Sequence, residues 1–304
     1  MKKQLLSILT IVMVSNLFAQ HTVTVKKGDD KNFTYFTIQG DTTKYSFKAT
    51  VANYENRFED AAKYTIKGIE KGEFKKPQNA YYDAACYYAL TKKYNEASQC
   101  LLKSIENGWD DLGHLEHDPD LQELKTSQEW KENITPRLQA YYKYNNKELA
   151  KLFANDQNAR LSGQINDDLA VQDSIRRQIV LKMESNKELK SGHDYYKAAM
   201  IMHHGHTIND YKRAEILIQK ALNSKNVHHM APWLSAAIKD RLLLKEGKPQ
   251  WYGTQAMTFF NGKMALDPKT IDTTAVTPQK RIELNAPKIE TLREYIKNFK
   301  ANNK

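Results

Sequence analysis

Cysteine, glycine and proline are all scarce in this 304-residue chain. The two cysteines, Cys86 and Cys100, exclude a disulfide-dense scaffold and any zinc site built from four thiolates. Twelve glycines and eight prolines are too few for an all-β chain of tight turns, or for a collagen-like or linker-rich one. The chain has no Gly-rich phosphate loop, serine nucleophile elbow or kinase-type motif set. Nor does any HExxH spacing put two histidine ligands on one helix face. The sequence therefore gives no reason to expect a cofactor or a metal. With 40% hydrophobic residues, it has enough apolar material for a sizeable core and too much for a disordered chain.

Long apolar runs are also lacking, with one exception. Lys2 and Lys3 precede a mostly apolar stretch from Leu5 to Phe18, and Ala19 offers the small residue a signal peptidase requires. Residues 1–19 thus read as a signal peptide and the chain as an exported protein, periplasmic or secreted. The run is short for a membrane span, leads into polar sequence and ends without a cysteine, so no stable membrane anchor is expected. Losing the leader removes two lysines and no acid, taking the formal charge from +10 to +8. The basic residues come as isolated pairs such as Lys75-Lys76, Arg176-Arg177 and Lys280-Arg281, without interleaved aromatics. They read as a solvated surface, and no nucleic-acid partner is expected.

Two stretches of the first half match at an offset of 36. Phe58 aligns with Tyr94, Ala61 with Ala97, Ile69 with Ile105 and Gly72 with Gly108, and further back Tyr45 aligns with Tyr81. Small residues inside paired apolar helices at such a period mark stacked helical hairpins. Small Ala85 and Ala97 would let the helices approach, and Cys86 and Cys100 read as buried free thiols. Tyr81, Ala84, Ala85, Tyr88, Ala97 and Leu101 resemble the tetratricopeptide pattern. The following Gly108-Trp109, Pro119, Leu121, Leu124 and Trp130 resemble a closing unit, with Pro119 opening a capping helix. This resemblance covers residues 44–137 and implies a protein or peptide partner docked on the repeats. A spacer role is the alternative. Residues 20–43, with period-2 alternation at Thr22 to Val25 and Phe33 to Ile38, read as a short hairpin or arm.

From residue 138 to 304 the reading is a helical domain with a small β-hairpin near 250–267. A linking helix is expected over 136–150. Val171, Ile175, Ile179 and Met183 then form a helical stripe, Asn209 caps a helix carrying Ala214, Leu217, Ile218 and Ala221, and Pro232 opens another. The Asn261-Gly262 turn marks the hairpin, with Gln250, Tyr252 and Thr254 on one face of its first strand. A polar, extended wrap over 267–287 and a final amphipathic helix complete the chain. The overall expectation is a mainly α fold: helical-hairpin repeats followed by this domain.

Within the second half, His203-His204-Gly205, Asp240-Arg241, and Gln250-Trp251-Tyr252-Gly253-Thr254-Gln255 occur together with Asp156-Gln157 and Arg160. This set resembles an uncharacterised bacterial family that shares Gln-His-Gly, Asp-Arg and Gln-x-Tyr-Gly-Thr-Gln motifs. The family histidine falls at His204, and His203 replaces its glutamine. The resemblance marks a site without naming a reaction.

Arg241 lies on the apolar stripe of its helix, where a desolvated guanidinium requires a partner or a ligand. Arg241 with Gln250, Tyr252, Thr254, Gln255, Asp156, Gln157 and Arg160 would suit a small polar or anionic ligand. A buried structural network is the bland reading of the same residues. One functional reading is a binding or scaffold protein. The other is a hydrolase or transferase with His204 as proton carrier, Asp240 or Asp156 orienting it, and Arg241 holding an anionic group. Whether the chain is an enzyme stays open at this point.

Overall fold

A computed structural model describes residues 21–28, 33–161, 167–255, 258–260, 263–265 and 271–302. The expected leader and the Asn261-Gly262 turn lie outside these residues. The fold is mainly α. Among the described residues, no helix is long and apolar enough to cross a membrane. Contacts divide the chain into two units, one ending at Lys143 and the other starting at Tyr144.

The first unit opens with an antiparallel hairpin of β1 (His21–Gly28) and β2 (Phe33–Gly40), with Val23 opposite Ile38 and Val25 opposite Phe36. Four helices follow: α1 (Tyr45–Tyr54), α2 (Phe58–Glu70), α3 (Pro77–Leu90) and α4 (Tyr94–Glu106). The internal repeat extends to the turns. Asn56 and Lys92 both take positive φ, and the following amides close the same bonds, Arg57 N–H to the Ala52 carbonyl and Lys93 N–H to that of Tyr88. Gly72 and Gly108 repeat the pattern at the other helix ends, where a residue without Cβ reaches φ of 68° and 98° without strain. Ala61, Ala84, Ala85 and Ala97 are fully buried, which lets adjacent helices pack closely.

Beyond α4 lie α5 (Leu112–His117), a 3-10 turn at Pro119–Leu121 and, after a tight π turn at Trp130–Ile134, α6 (Thr135–Tyr142). Pro119 therefore opens a single 3-10 turn, not the helix expected. The Asp118 carboxylate caps that turn by accepting from Asp120 N–H. Trp130 and Ile134 are buried with Leu115, Leu121 and Leu124. Cys86 and Cys100 are free and buried.

The second unit is built on α7 (Lys147–Leu161), α8 (Asp167–Ser185), α9 (Gly192–His203), α10 (Ile208–Leu222) and α11 (Ala231–Lys245). The linking helix expected over 136–150 is thus two helices, broken before Lys147, where the Asn146 side chain accepts from Leu149 N–H. Helix α9 is buried along its length except at Tyr195 and packs against α7, α8, α10 and α11. Its centrality follows from apolar residues on all sides of the run Ala198–Met202. The stripe on α10 is buried as its period requires, but its cap is Thr207, not Asn209. Thr207 Oγ1 accepts from Asp210 N–H while the Asp210 carboxylate accepts from Thr207 N–H, a reciprocal capping box.

Two further expectations are corrected. Val171 and Ile175 on α8 are 58% and 47% exposed, and the buried face instead carries Asp173, Arg176, Val180 and Met183. The helix is rotated because Asp173 and Arg176 join an ionic cluster across the packed face. The expected first strand, from Gln250, is a loop. The antiparallel pair is β3 (Thr258–Phe260) with β4 (Lys263–Ala265), Gln250 makes only an isolated parallel bridge to Ile271, and Gly253 turns the chain at φ of 71°. The polar wrap contains a short helix, α12 (Pro278–Glu283), and the chain closes with α13 (Ile289–Asn302).

Candidate functional site

Helix α7 presents Asp156 and Arg160 one turn apart, so they share a face. Asp156 is fully buried, and its carboxylate accepts from Arg160 Nη1 at 2.8 Å and from Gln157 Nε2 at 2.7 Å. Arg160 reaches on to Asp173 of α8 at 2.6 Å, and Arg176 Nη1 donates to the same Asp173 at 2.9 Å. His204, the residue just past the end of α9, places Nδ1 2.9 Å from Asp156 Oδ2. A carboxylate only accepts, so the imidazole proton sits on Nδ1 and Nε2 is left as an acceptor.

Burial lowers the His204 pKa. Asp156 opposes that shift, while the Arg160 and Arg241 charges add to it, so the ring is neutral at pH 7. Burial presses the Asp156 carboxyl upward, but His204, Arg160 and Gln157 outweigh it and hold it below the usual carboxylate range. His203, nearly enclosed, is driven well below the ordinary imidazole value by burial and by Arg241, and its Nδ1 has no hydrogen-bond partner among the described residues.

Arg241 on α11 is partly buried. Nη1 donates to the His203 carbonyl at 2.7 Å and Nε to Gln255 Oε1 at 3.0 Å, while the nearby Tyr211 hydroxyl donates to the Gly205 carbonyl at 2.8 Å. These acceptors are all neutral, and among the described residues no carboxylate lies within ion-pair distance of Arg241. Among the described residues, Arg160 and Arg176 are matched by Asp156 and Asp173, so the Arg241 charge is surplus, beside a neutral imidazole. Such a cluster can take a small anion on the guanidinium and accept a proton at His204 Nε2.

Asp156, Gln157, Arg160, His204, Arg241 and Gln255 are therefore brought into one network. Asp240, Gln250, Tyr252 and Thr254 take other places. Asp240 is fully buried, and its two oxygens accept from Trp251, Tyr252 and Thr254 N–H and from Thr254 Oγ1 at 2.7–2.9 Å. It ties down the 250s loop, and the carboxylate on His204 is Asp156. Gln250, also buried, accepts from Gln255 N–H at 2.8 Å and so aims the Gln255 side chain at Arg241. Tyr252 packs with Ala236 and Ala286. Arg281 donates to the Trp251 and Tyr252 carbonyls at 2.6 and 2.9 Å, so carboxylate and guanidinium hold the backbone of the same two residues, the one by their N–H groups and the other by their carbonyls.

Sequence reasoning gave no role to Asp173 and read Arg176 and Arg281, in their basic pairs, as solvated surface, whereas both are buried. An acid and a base three residues apart on one helix, Asp173 and Arg176, were the available signal. No group of three metal-ligating side chains converges at His204 among the described residues. Compared with models of protein families, with curated proteins and with solved structures, the chain gives no match.

Proposed function

We propose that this is an exported, periplasmic or secreted, binding protein whose second unit holds a small anionic ligand, a carboxylate or phosphate, on Arg241. The repeats of the first unit, tetratricopeptide-like in pattern, dock a protein or peptide partner. The observation that carries the ligand reading is Arg241 itself. A guanidinium drawn out of water is left on neutral acceptors, in a cluster with positive charge to spare. The motif resemblance around His204, Asp240-Arg241 and the 250s loop supports the same unit as the site.

The test is a thermal-shift and calorimetric screen of the protein lacking its leader against acetate, inorganic phosphate, a hexose phosphate and a uronic acid. At least one anion raises the melting temperature of the parent. Arg241→Ala abolishes that rise, and Arg241→Lys weakens binding by about tenfold because the fork is lost. A folded Arg241→Ala variant that binds as tightly as the parent overturns the reading.

A second reading is favoured by the Asp156–His204 pair, which leaves Nε2 as a base. A hydrolase or transferase would use His204 as proton carrier and Arg241 as anion holder. It predicts turnover of a bound ester or phosphate that His204→Gln abolishes while binding persists.

A further inference from the structure

The first unit carries a half-open cavity of about 430 Å³ whose walls are aromatic and acidic, with Asp83 and Asp120 exposed at its mouth. Helix α3 supplies Tyr82 and Asp83, the chain after α4 supplies Trp109, α5 gives His114, and the turn beyond it gives Asp118 and Asp120. The Tyr82 and Trp109 rings stack at 4.2 Å and 13°, with His114 against Tyr82 at 5.7 Å, so the wall is rigid. Asp118 is taken up within that wall. It accepts from the Tyr82 hydroxyl and from Asp120 N–H, both at 2.8 Å, with His114 Nε2 3.4 Å away.

Asp83 and Asp120 differ from Asp118: their carboxylates accept no hydrogen bond among the described residues. Water reaches Asp83, yet the recess thins its hydration and Asp118 faces it, and its carboxyl is pushed up to about 6. Asp120 is raised for the same two reasons. The nearby Lys125 ammonium is committed to the Asp118 carbonyl at 2.9 Å and does not line the cavity. Three carboxylates thus converge on one space, and among the described residues no lysine or arginine lines it.

We infer that this cavity binds an organic cation, a primary ammonium or a guanidinium group. Carboxylates supply the charge-assisted acceptors and the stacked rings an apolar, electron-rich wall for the stem and head of such a group. Cys86, Asp118 and Asp120 could instead hold a bare metal ion, since their ligand atoms lie within 4.8 Å of one another. Volume decides against that. At about 30 Å³ per water, the space holds far more than one ion and fits a molecule or side chain of several heavy atoms. The inference rests on the first unit alone and stands apart from Arg241.

The test is calorimetry on the full chain at constant ionic strength. Butylammonium and propylguanidinium chloride form one arm, a short arginine peptide and its citrulline counterpart a second, and zinc chloride a third. A saturable organic cation with Kd of about 1 mM or tighter is expected. The double variant Asp83→Asn/Asp120→Asn, whose side chains anchor nothing, weakens it by about tenfold or more. Arg241→Ala leaves it unchanged. An arginine peptide binding more tightly than propylguanidinium, with the citrulline peptide silent, assigns the cation to a partner's side chain. Free cations binding as well as the peptide assign it to a small amine. The inference is overturned if no organic cation saturates, if the double variant binds like the parent, or if zinc alone binds and Cys86→Ser removes it.

Discussion

Replacing Asp240 tests whether the 250s loop is held by one side chain. The carboxylate is fully buried and accepts four hydrogen bonds, three from backbone amides and one from a hydroxyl. Asp240→Asn keeps one carbonyl for the Trp251 and Tyr252 amides but turns a donor toward Thr254 N–H. Losing that bond and the charge on the others costs about 2 kcal/mol. Asp240→Ala removes both acceptor oxygens and all four hydrogen bonds, and leaves Arg281 on the neighbouring carbonyls without its counter-charge, for a cost of about 4 kcal/mol. Gln255 belongs to the loop, so both variants also loosen its hold on Arg241 and weaken the proposed anion site without touching the anion. Urea unfolding followed by far-UV circular dichroism gives the two energies, and hydrogen exchange locates them at amides 251, 252 and 254. If the Ala variant unfolds at the parent's midpoint with those amides still protected, the loop is held by something else.

Two further outcomes follow from the same structure. His203 and His204 are both held below the ordinary imidazole pKa in the fold. Between pH of about 6.5 and their folded values the unfolded chain binds protons that the native state refuses. Stability therefore falls as pH drops below about 6.5, and Asp156→Asn, which removes the partner that favours the charged ring, shifts the His204 NMR titration lower still. An upward shift would contradict the assigned pair. At Gly192 an added Cβ would sit 2.0 Å from the Asn226 carbonyl oxygen, backbone that cannot swing away. Gly192→Ala accordingly costs about 2 kcal/mol or more, measured as a lowered urea midpoint, whereas a neutral result would mean the Asn226 segment yields.

Much of the architecture was legible because it is local. The burial of Ala214, Leu217, Ile218 and Ala221 follows from a period of 3.6. The offset of 36 between hairpins reappears in the paired left-handed turns at Asn56 and Lys92. The pairing of Phe260 with Lys263 falls within the stretch expected to form a hairpin. The failures share one cause, which is that a distant partner overrode a local pattern. Alternation from Gln250 to Thr254 predicts a strand, but Asp240 draws three of its amides inward and makes a loop. An apolar stripe predicts that Val171 and Ile175 are buried, but Asp173 and Arg176 turn α8 toward Arg160 and Asp156.

By itself, then, the sequence determined a mainly helical chain and the repeat of 36 residues in its first half. Those properties depend on neighbours a few residues apart. Which ionic groups meet was decided only by tertiary structure. His204 finds Asp156 across 48 residues, and Arg241 finds the His203 carbonyl across 38. Adjacent residues such as Asp240 and Arg241 point about 100° apart on a helix. Helix packing therefore assigns one to hold a loop and the other to face the charged cluster.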